Sequence, residues 1–168
     1  FRSVAARGHY DLCWTPLWET ETAVARIRER EPRMVWIETP SNPLLRITDI
    51  EAIAAAARGV GATVVADNTF LSPAGQNPLA LGADIVLHST TKYINGHSDV
   101  VGGAVIAASD ELAEECAYWA NVIGITGAPF DSFMTLRDIR TLHPRIRQHE
   151  ESAAEIARLL EAQPNVDK

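Results

Sequence analysis

Ile50-Glu51-Ala52-Ile53-Ala54-Ala55-Ala56-Ala57 followed by Thr63-Val64-Val65-Ala66-Asp67 is the stretch that decides the fold. The first run is Ala-rich and strongly helical, and Gly59 or Gly61 stops it. Thr48-Asp49-Ile50-Glu51 has the form of a capping box, with Thr48 at the cap and Glu51 three residues later. The second run is short and apolar throughout, so it reads as a buried strand. Upstream, Thr20 to Arg30 carries Val24 and Ile27 at i, i+3 spacing among charges, an amphipathic helix that Pro32 ends. Met34-Val35-Trp36-Ile37 is then another short buried strand. Pro40-Ser41-Asn42-Pro43 is a loop, because Pro43 pushes Asn42 away from helical dihedrals.

Downstream, Pro78-Leu79-Ala80-Leu81 is a helical turn before Gly82. Asp84-Ile85-Val86-Leu87-His88 is a third strand, and Val100 to Ala107 a fourth, broken by Gly102 and Gly103. Helices dominate from about Asp110. The last, Arg145 to Glu161, sets Ile156, Leu159 and Leu160 on one face. Apolar strands that alternate with helices predict an α/β fold with a mostly parallel sheet flanked by helices on both faces. Right-handed crossovers would join its strands.

The 168 residues are 46% hydrophobic and 22% charged, which fits one domain with a sizeable core and excludes a disordered or collagen-like chain. Fifteen basic residues stand against 22 acidic ones, a formal net charge of −7. Such a surface repels phosphate backbones, so no nucleic-acid partner is expected. No apolar run reaches the roughly 18 to 20 residues of a membrane span. Phe1-Arg2-Ser3-Val4-Ala5 has no basic region ahead of an apolar stretch, so no signal peptide is expected. The missing initiator Met points to a fragment or a processed chain. Cys13 and Cys116 form no CxxC and read as free thiols of a reducing compartment, consistent with a cytoplasmic protein.

In parallel sheets, ligands bind beyond the carboxyl ends of the strands. Those ends offer Glu38 to Pro43, Asp67-Asn68-Thr69, and His88-Ser89-Thr90-Thr91-Lys92. If the strands are neighbours, Asn42, Asp67, Thr69, Ser89, Thr91 and Lys92 converge. A Lys in a partly desolvated pocket attacks an aldehyde to give a Schiff base. An Asp holds a ring nitrogen protonated, and hydroxyls bind a phosphate. Pyridoxal 5'-phosphate requires these groups.

Each residue also has a plainer reading. Lys92 would be a surface lysine, Asp67 a turn residue, Ser89 and Thr91 helix N-caps, and Asn42 a turn residue between prolines. His97-Ser98-Asp99 holds the letters of a hydrolase triad, but consecutive residues cannot form that relay. No zinc spacing occurs, and no metal is expected. Trp14, Trp18, Trp36 and Trp119 read as core or interface residues. The basic residues from Arg137 to Arg147 read as a solvated helix face. A phosphorylatable receiver domain would need its Thr and Lys on different strands, whereas Thr91 and Lys92 are adjacent.

Glu38-Thr39-Pro40-Ser41-Asn42-Pro43, Ala66-Asp67-Asn68-Thr69-Phe70 and the run from Ser89-Thr90-Thr91-Lys92 through Gly96-His97-Ser98-Asp99 to Gly103 resemble the Cys/Met-metabolism family of pyridoxal-phosphate enzymes. Asn77 to Asp84 and Asn121 to Gly127 look most like the cystathionine γ-synthases within it. The resemblance implies that Lys92 is the Schiff-base lysine and catalytic proton carrier. It implies that Asp67 pairs with the ring nitrogen, and that Ser89 and Thr91 bind the cofactor phosphate. Asn42 and Thr69 would lie near the phenolic oxygen and the substrate carboxylate.

The reaction implied is γ-replacement on an O-acylhomoserine by cysteine. Cystathionine γ-lyase, methionine γ-lyase and homoserine-ester sulfhydrylase are the alternatives within the family. Family chains are much longer, and several of their motifs do not occur here. The chain would then be part of a fold-type I enzyme: residues 1–143 in the large cofactor-binding domain and 144–168 a linker helix toward a further domain. Its full-length form would be a homotetramer, a dimer of dimers, acting on small amino-acid substrates. The alternative outside enzymes is a cofactor-binding fragment without turnover.

Overall fold

In the computed structural model, which describes residues 1–166, the chain runs α1 (Arg2–Ala5), α2 (Thr20–Arg30), β1 (Met34–Glu38), α3 (Ile50–Gly59), β2 (Thr63–Asp67), α4 (Ser72–Gly75), β3 (Ile85–Ser89), β4 (Gly103–Ala107), α5 (Asp110–Ile123), α6 (Pro129–Asp138) and α7 (Leu142–Glu161). A single 3-10 turn, Ile139–Thr141, joins α6 to α7.

The four strands form one sheet in the order β1-β2-β3-β4. The first two pairings are parallel and in register, with Glu38 opposite Asp67 and Asp67 opposite Leu87. The carboxyl ends of β1, β2 and β3 therefore open onto one edge. β4 runs antiparallel to β3, with Gly103 opposite Ser89 and Ala107 opposite Ile85. A parallel return needs a crossover, usually a helix. The segment from Thr90 to Gly102 contains only turns, so the chain doubles back beside the strand it has just left.

The core fills one face of the sheet. Val35, Ile37, Val64, Ala66 and Val86 from the strands meet Ala23 and Ile27 of α2 and Ile50, Ile53, Ala54 and Ala57 of α3. The apolar stripe of α3 explains this docking, since its buried positions recur at helical spacing. The other face is more open. On β1, Met34 is 53% and Trp36 37% exposed, so burial alternates along that strand. The expectation of a sheet covered on both faces therefore holds for the α2/α3 face and not for the reverse face of β1.

Two local expectations also change. The cap of α3 is Asp49, whose carboxylate accepts from the Ala52 amide at 3.0 Å. Thr48 is instead buried and donates its backbone N–H to Thr39 Oγ1 at 2.9 Å. A carboxylate serves the helix N-terminus as well as a hydroxyl does, and adds a favourable charge there. The last helix begins at Leu142, earlier than Arg145. The four tryptophans are all exposed, which removes the core reading for each. No helix among the described residues is long and apolar enough to cross a membrane.

Candidate functional site

The site is built where β2 and β3 end. Asp67 closes β2, and one of its carboxylate oxygens accepts from the Thr69 amide at 3.0 Å. The Thr69 hydroxyl oxygen accepts from the Ser89 amide at 2.8 Å. Asp67, Thr69 and Ser89 are thus linked in one chain of hydrogen bonds spanning two strands. The Lys92 amide donates to the Ser89 carbonyl at 3.2 Å, which brings Lys92 into the same cluster.

Asn68 supports the cluster from beneath. It is 1% exposed. Its amide nitrogen donates to the carbonyls of Ser72 and Gln76, and its oxygen accepts from Gln76 Nε2 at 2.9 Å. Gln76 Nε2 also reaches the Thr39 carbonyl at 3.4 Å, tying the end of β1 to the end of β2. Sequence reading passed over Asn68. Its signal was an Asn between two polar residues at a strand end, which does not distinguish a support from a solvent-facing turn residue.

The turn after β3 holds Lys92. Asn95 is fully buried, and its amide donates to the Thr90 carbonyl at 2.9 Å. Its side chain donates to the Val100 carbonyl at 3.4 Å, so it stitches both ends of the turn together. Thr91 pairs with Gly102: its hydroxyl donates to the Gly102 carbonyl and accepts from the Gly102 amide at 3.0 Å. That hydroxyl already has both roles filled, which sets Thr91 apart from Ser89. Glycine is required at 102, because a Cβ there would lie 2.8 Å from Thr90 Oγ1.

Of the six candidates, Asp67, Thr69 and Ser89 are linked directly, Lys92 joins them through its backbone amide, and Thr91 stands beside them with its hydroxyl engaged. Asn42 sits on the loop after β1, exposed, and makes no hydrogen bond to the other five among the described residues. That loop is closed by Ser41, which donates to the Arg46 carbonyl and accepts from the Arg46 amide. Lys92 is exposed, so these residues do not supply the desolvation that its chemistry was expected to need. An open cavity of about 590 Å³ lies behind the turn, between Gly102 and α6, and none of the six candidates lines it.

His88 is a further buried group at this edge, 6% exposed, with Nδ1 unpartnered. Burial lowers its pKa below 6.5, opposed in part by the Asp67 charge and by the Asn68 backbone. The native state therefore keeps a neutral imidazole where the unfolded chain binds a proton. Stability is fully present above pH 6.5 and falls as the pH drops below it. The Tm of the full-length chain is expected to decline on that acid side, and His88→Gln to flatten the decline. Parallel Tm-against-pH curves for the two proteins would refute this.

The donor set fits the cofactor expected from the sequence. It offers an accessible primary amine, a half-buried carboxylate with one oxygen engaged, and the Ser89 hydroxyl one strand away. Among the described residues no group of three His, Cys, Asp or Glu could hold a metal ion.

Comparison with known proteins gives the same reading of the whole chain. A family model described as Cys/Met metabolism PLP-dependent enzyme matches residues 1–168. The cystathionine γ-synthase of Escherichia coli K12 is 52% identical over 168 residues, which is all of this chain and 43% of the relative. A cystathionine γ-lyase of Dictyostelium discoideum is 52% identical over 136 residues, 81% of this chain and 35% of the relative. A solved cystathionine γ-synthase from Xanthomonas oryzae pv. oryzae, in complex with aminoacrylate and cysteine, superposes with a TM-score of 0.96 at 54% identity. It covers all of this chain, which spans 43% of that structure's length. The chain thus spans less than half the length of these relatives. With the match extending from the first residue to the last, the chain belongs to the Cys/Met metabolism PLP-dependent enzyme family.

Proposed function

We propose that the full-length protein carrying this chain catalyses γ-replacement on an O-acylhomoserine by cysteine, giving cystathionine. The observation that supports it most is the linked set of Asp67, Thr69, Ser89 and Lys92 at the carboxyl edge of the sheet. Two cystathionine γ-synthases at 52% and 54% identity over the whole chain support the finer reading.

Pyridoxal phosphate, when bound, supplies an aldehyde that captures amines and a ring that accepts electrons from the substrate carbons. Lys92 Nζ would be its covalent attachment point, and would take and return protons at the substrate's α and β carbons. Asp67 would hold a proton on the ring nitrogen with the oxygen that Thr69 leaves free. Ser89 would bind the phosphate, and Thr91 could join it only by giving up a contact to Gly102. Thr69 orients Asp67 through its amide, and Asn42 would, like Thr69, lie near the cofactor's phenolic oxygen and the substrate carboxylate.

In this reading residues 1–143 belong to the large cofactor-binding domain and 144–168 to a linker helix. The full-length protein is a cytoplasmic homotetramer. Tyr118, Trp119, Phe130 and Phe133, all exposed on α5 and α6, are the apolar surface such an assembly would cover.

The test incubates the full-length chain and pyridoxal phosphate with cysteine and, separately, O-succinyl-, O-acetyl- and O-phosphohomoserine. Cystathionine is expected from one ester by mass spectrometry. The γ-lyase named among the relatives supports one second reading. In that case cystathionine would be consumed to cysteine, 2-oxobutyrate and ammonia, and no ester would yield it.

A further inference from the structure

We propose that Arg145, at the start of α7, is a positioning residue for Lys92. Its guanidinium donates to the carbonyls of Tyr93 and Ile94, the two residues that follow Lys92. The same group donates to the Asp138 carbonyl at 3.0 Å, and Nε donates to Thr141 Oγ1 at 3.1 Å. Every other hydrogen bond described above for this turn ties it to itself or to the residues that flank it in the chain. Arg145 ties it to a helix from another part of the chain.

Two independent observations mark the contact as built in. Gly96, at φ +74°, faces the guanidinium, and a Cβ there would lie 2.8 Å from Arg145 Cζ and nearer still to Nη1. The glycine leaves the room that the guanidinium fills. One helical turn along α7, the His149 ring packs edge-on against Tyr93, with centroids 5.6 Å apart. α7 therefore grips the turn at Tyr93 twice.

The physical consequence follows from the exposure of Lys92. A long exposed side chain is not held by packing, so the reach of Nζ is set by where the turn places its backbone. A planar guanidinium with five donors binds several carbonyls at once, whereas an ammonium acts as a single point. Arg145 is spent on carbonyls rather than on a carboxylate. The nearby Asp138 carboxylate faces His97 at 3.7 Å and Arg137 at 3.9 Å instead. This inference rests on the assignment of Lys92 as the attachment point.

The test uses the full-length chain with Arg145→Gln and Arg145→Lys. Four quantities are read: hydrogen exchange at the Asn95 and Gly96 amides, Tm, pyridoxal phosphate Kd by visible titration, and borohydride trapping at Lys92. Arg145→Gln is expected to speed exchange in the turn and raise Kd about tenfold, the loss of two charge-assisted bonds acting on placement. Arg145→Lys should fall between the two. A folded Arg145→Gln protein with wild-type Kd overturns the proposal, whether or not exchange changes, because a strut that only stabilises lowers Tm alone. Should Arg145→Gln fail to fold, Arg145→Lys with wild-type Kd overturns it equally. A wild type that traps nothing at Lys92 instead defeats the assignment of Lys92 itself, a result separate from failure of the clamp.

Discussion

Lys92→Ala is expected to leave the full-length chain folded and unable to retain pyridoxal phosphate through a borohydride-reducible bond. The wild type should yield one reduced adduct, and peptide mass analysis should place it on Lys92. Within these 168 residues the only lysines are Lys92 and Lys168, against 13 arginines, so an adduct that falls in this segment has two side chains to choose from. Lys92 is exposed, and its own hydrogen bonds to the turn are backbone: Lys92 N–H to Ser89, Gly96 N–H to the Lys92 carbonyl. Alanine keeps both bonds. Stability should therefore change by no more than about 0.5 kcal/mol, the usual range for surface substitutions. Turnover should fall by several orders of magnitude, because under the proposed function this lysine would be both the attachment point and the proton carrier. A reducible adduct persisting in Lys92→Ala would show that another amine does this work.

Asn68→Ala is expected to be the costliest single change at the site edge for stability, on the order of 2–4 kcal/mol by denaturant unfolding of the full-length chain. The side chain is 1% exposed and makes three hydrogen bonds within 3.1 Å, two to backbone carbonyls and one from Gln76. Alanine satisfies none of them, and the Ser72 and Gln76 carbonyls lose their donor. A buried acceptor without a partner costs more than the net worth of the bond it lost. Folded stabilities of 5–15 kcal/mol make this a large fraction of the total. Asn42→Ala is the matched control, an exposed Asn with no hydrogen bond to the rest of the site, and should change stability by about 0.5 kcal/mol or less. If the two alanine variants unfold at the same denaturant concentration, Asn68 is not the support that its bonds imply.

Much of the architecture was readable because local chemistry carried it. The short apolar runs at Met34 to Ile37 and Thr63 to Ala66 are strands because they are apolar and bounded by breakers, and the Ala-rich run between them has little choice but helix. The boundary at Asp67 follows from the first polar residue after the run. From these and the third run, Asp84 to His88, come the α/β class, the edge to search for chemistry, and Asp67 and Lys92 as residues to watch. Family motifs around Ser89 to Gly103 then narrow the chemistry to one cofactor.

Other features lie in relations between distant residues, which no local window contains. The antiparallel β4 depends on Thr90 to Gly102 closing as turns rather than as a crossover, and that closure rests on the buried Asn95 and on Thr91 engaging Gly102. Exposure of Met34 and Trp36 depends on what covers the reverse face of β1, and an apolar run reads the same either way. Asp49 and Thr48 are both good caps. Only the packing of Thr48 against Thr39 decides which of them serves. Arg145 looked like one more charge on a solvated helix, since periodicity reports which face is apolar and is silent on carbonyls 51 and 52 residues away. Sequence periodicity and motif chemistry set the elements and the reactive groups. The geometry that joins Asp67, Thr69, Ser89 and Lys92, and clamps the turn between them, arises from long-range hydrogen bonds whose partners meet only when the sheet and α7 have assembled.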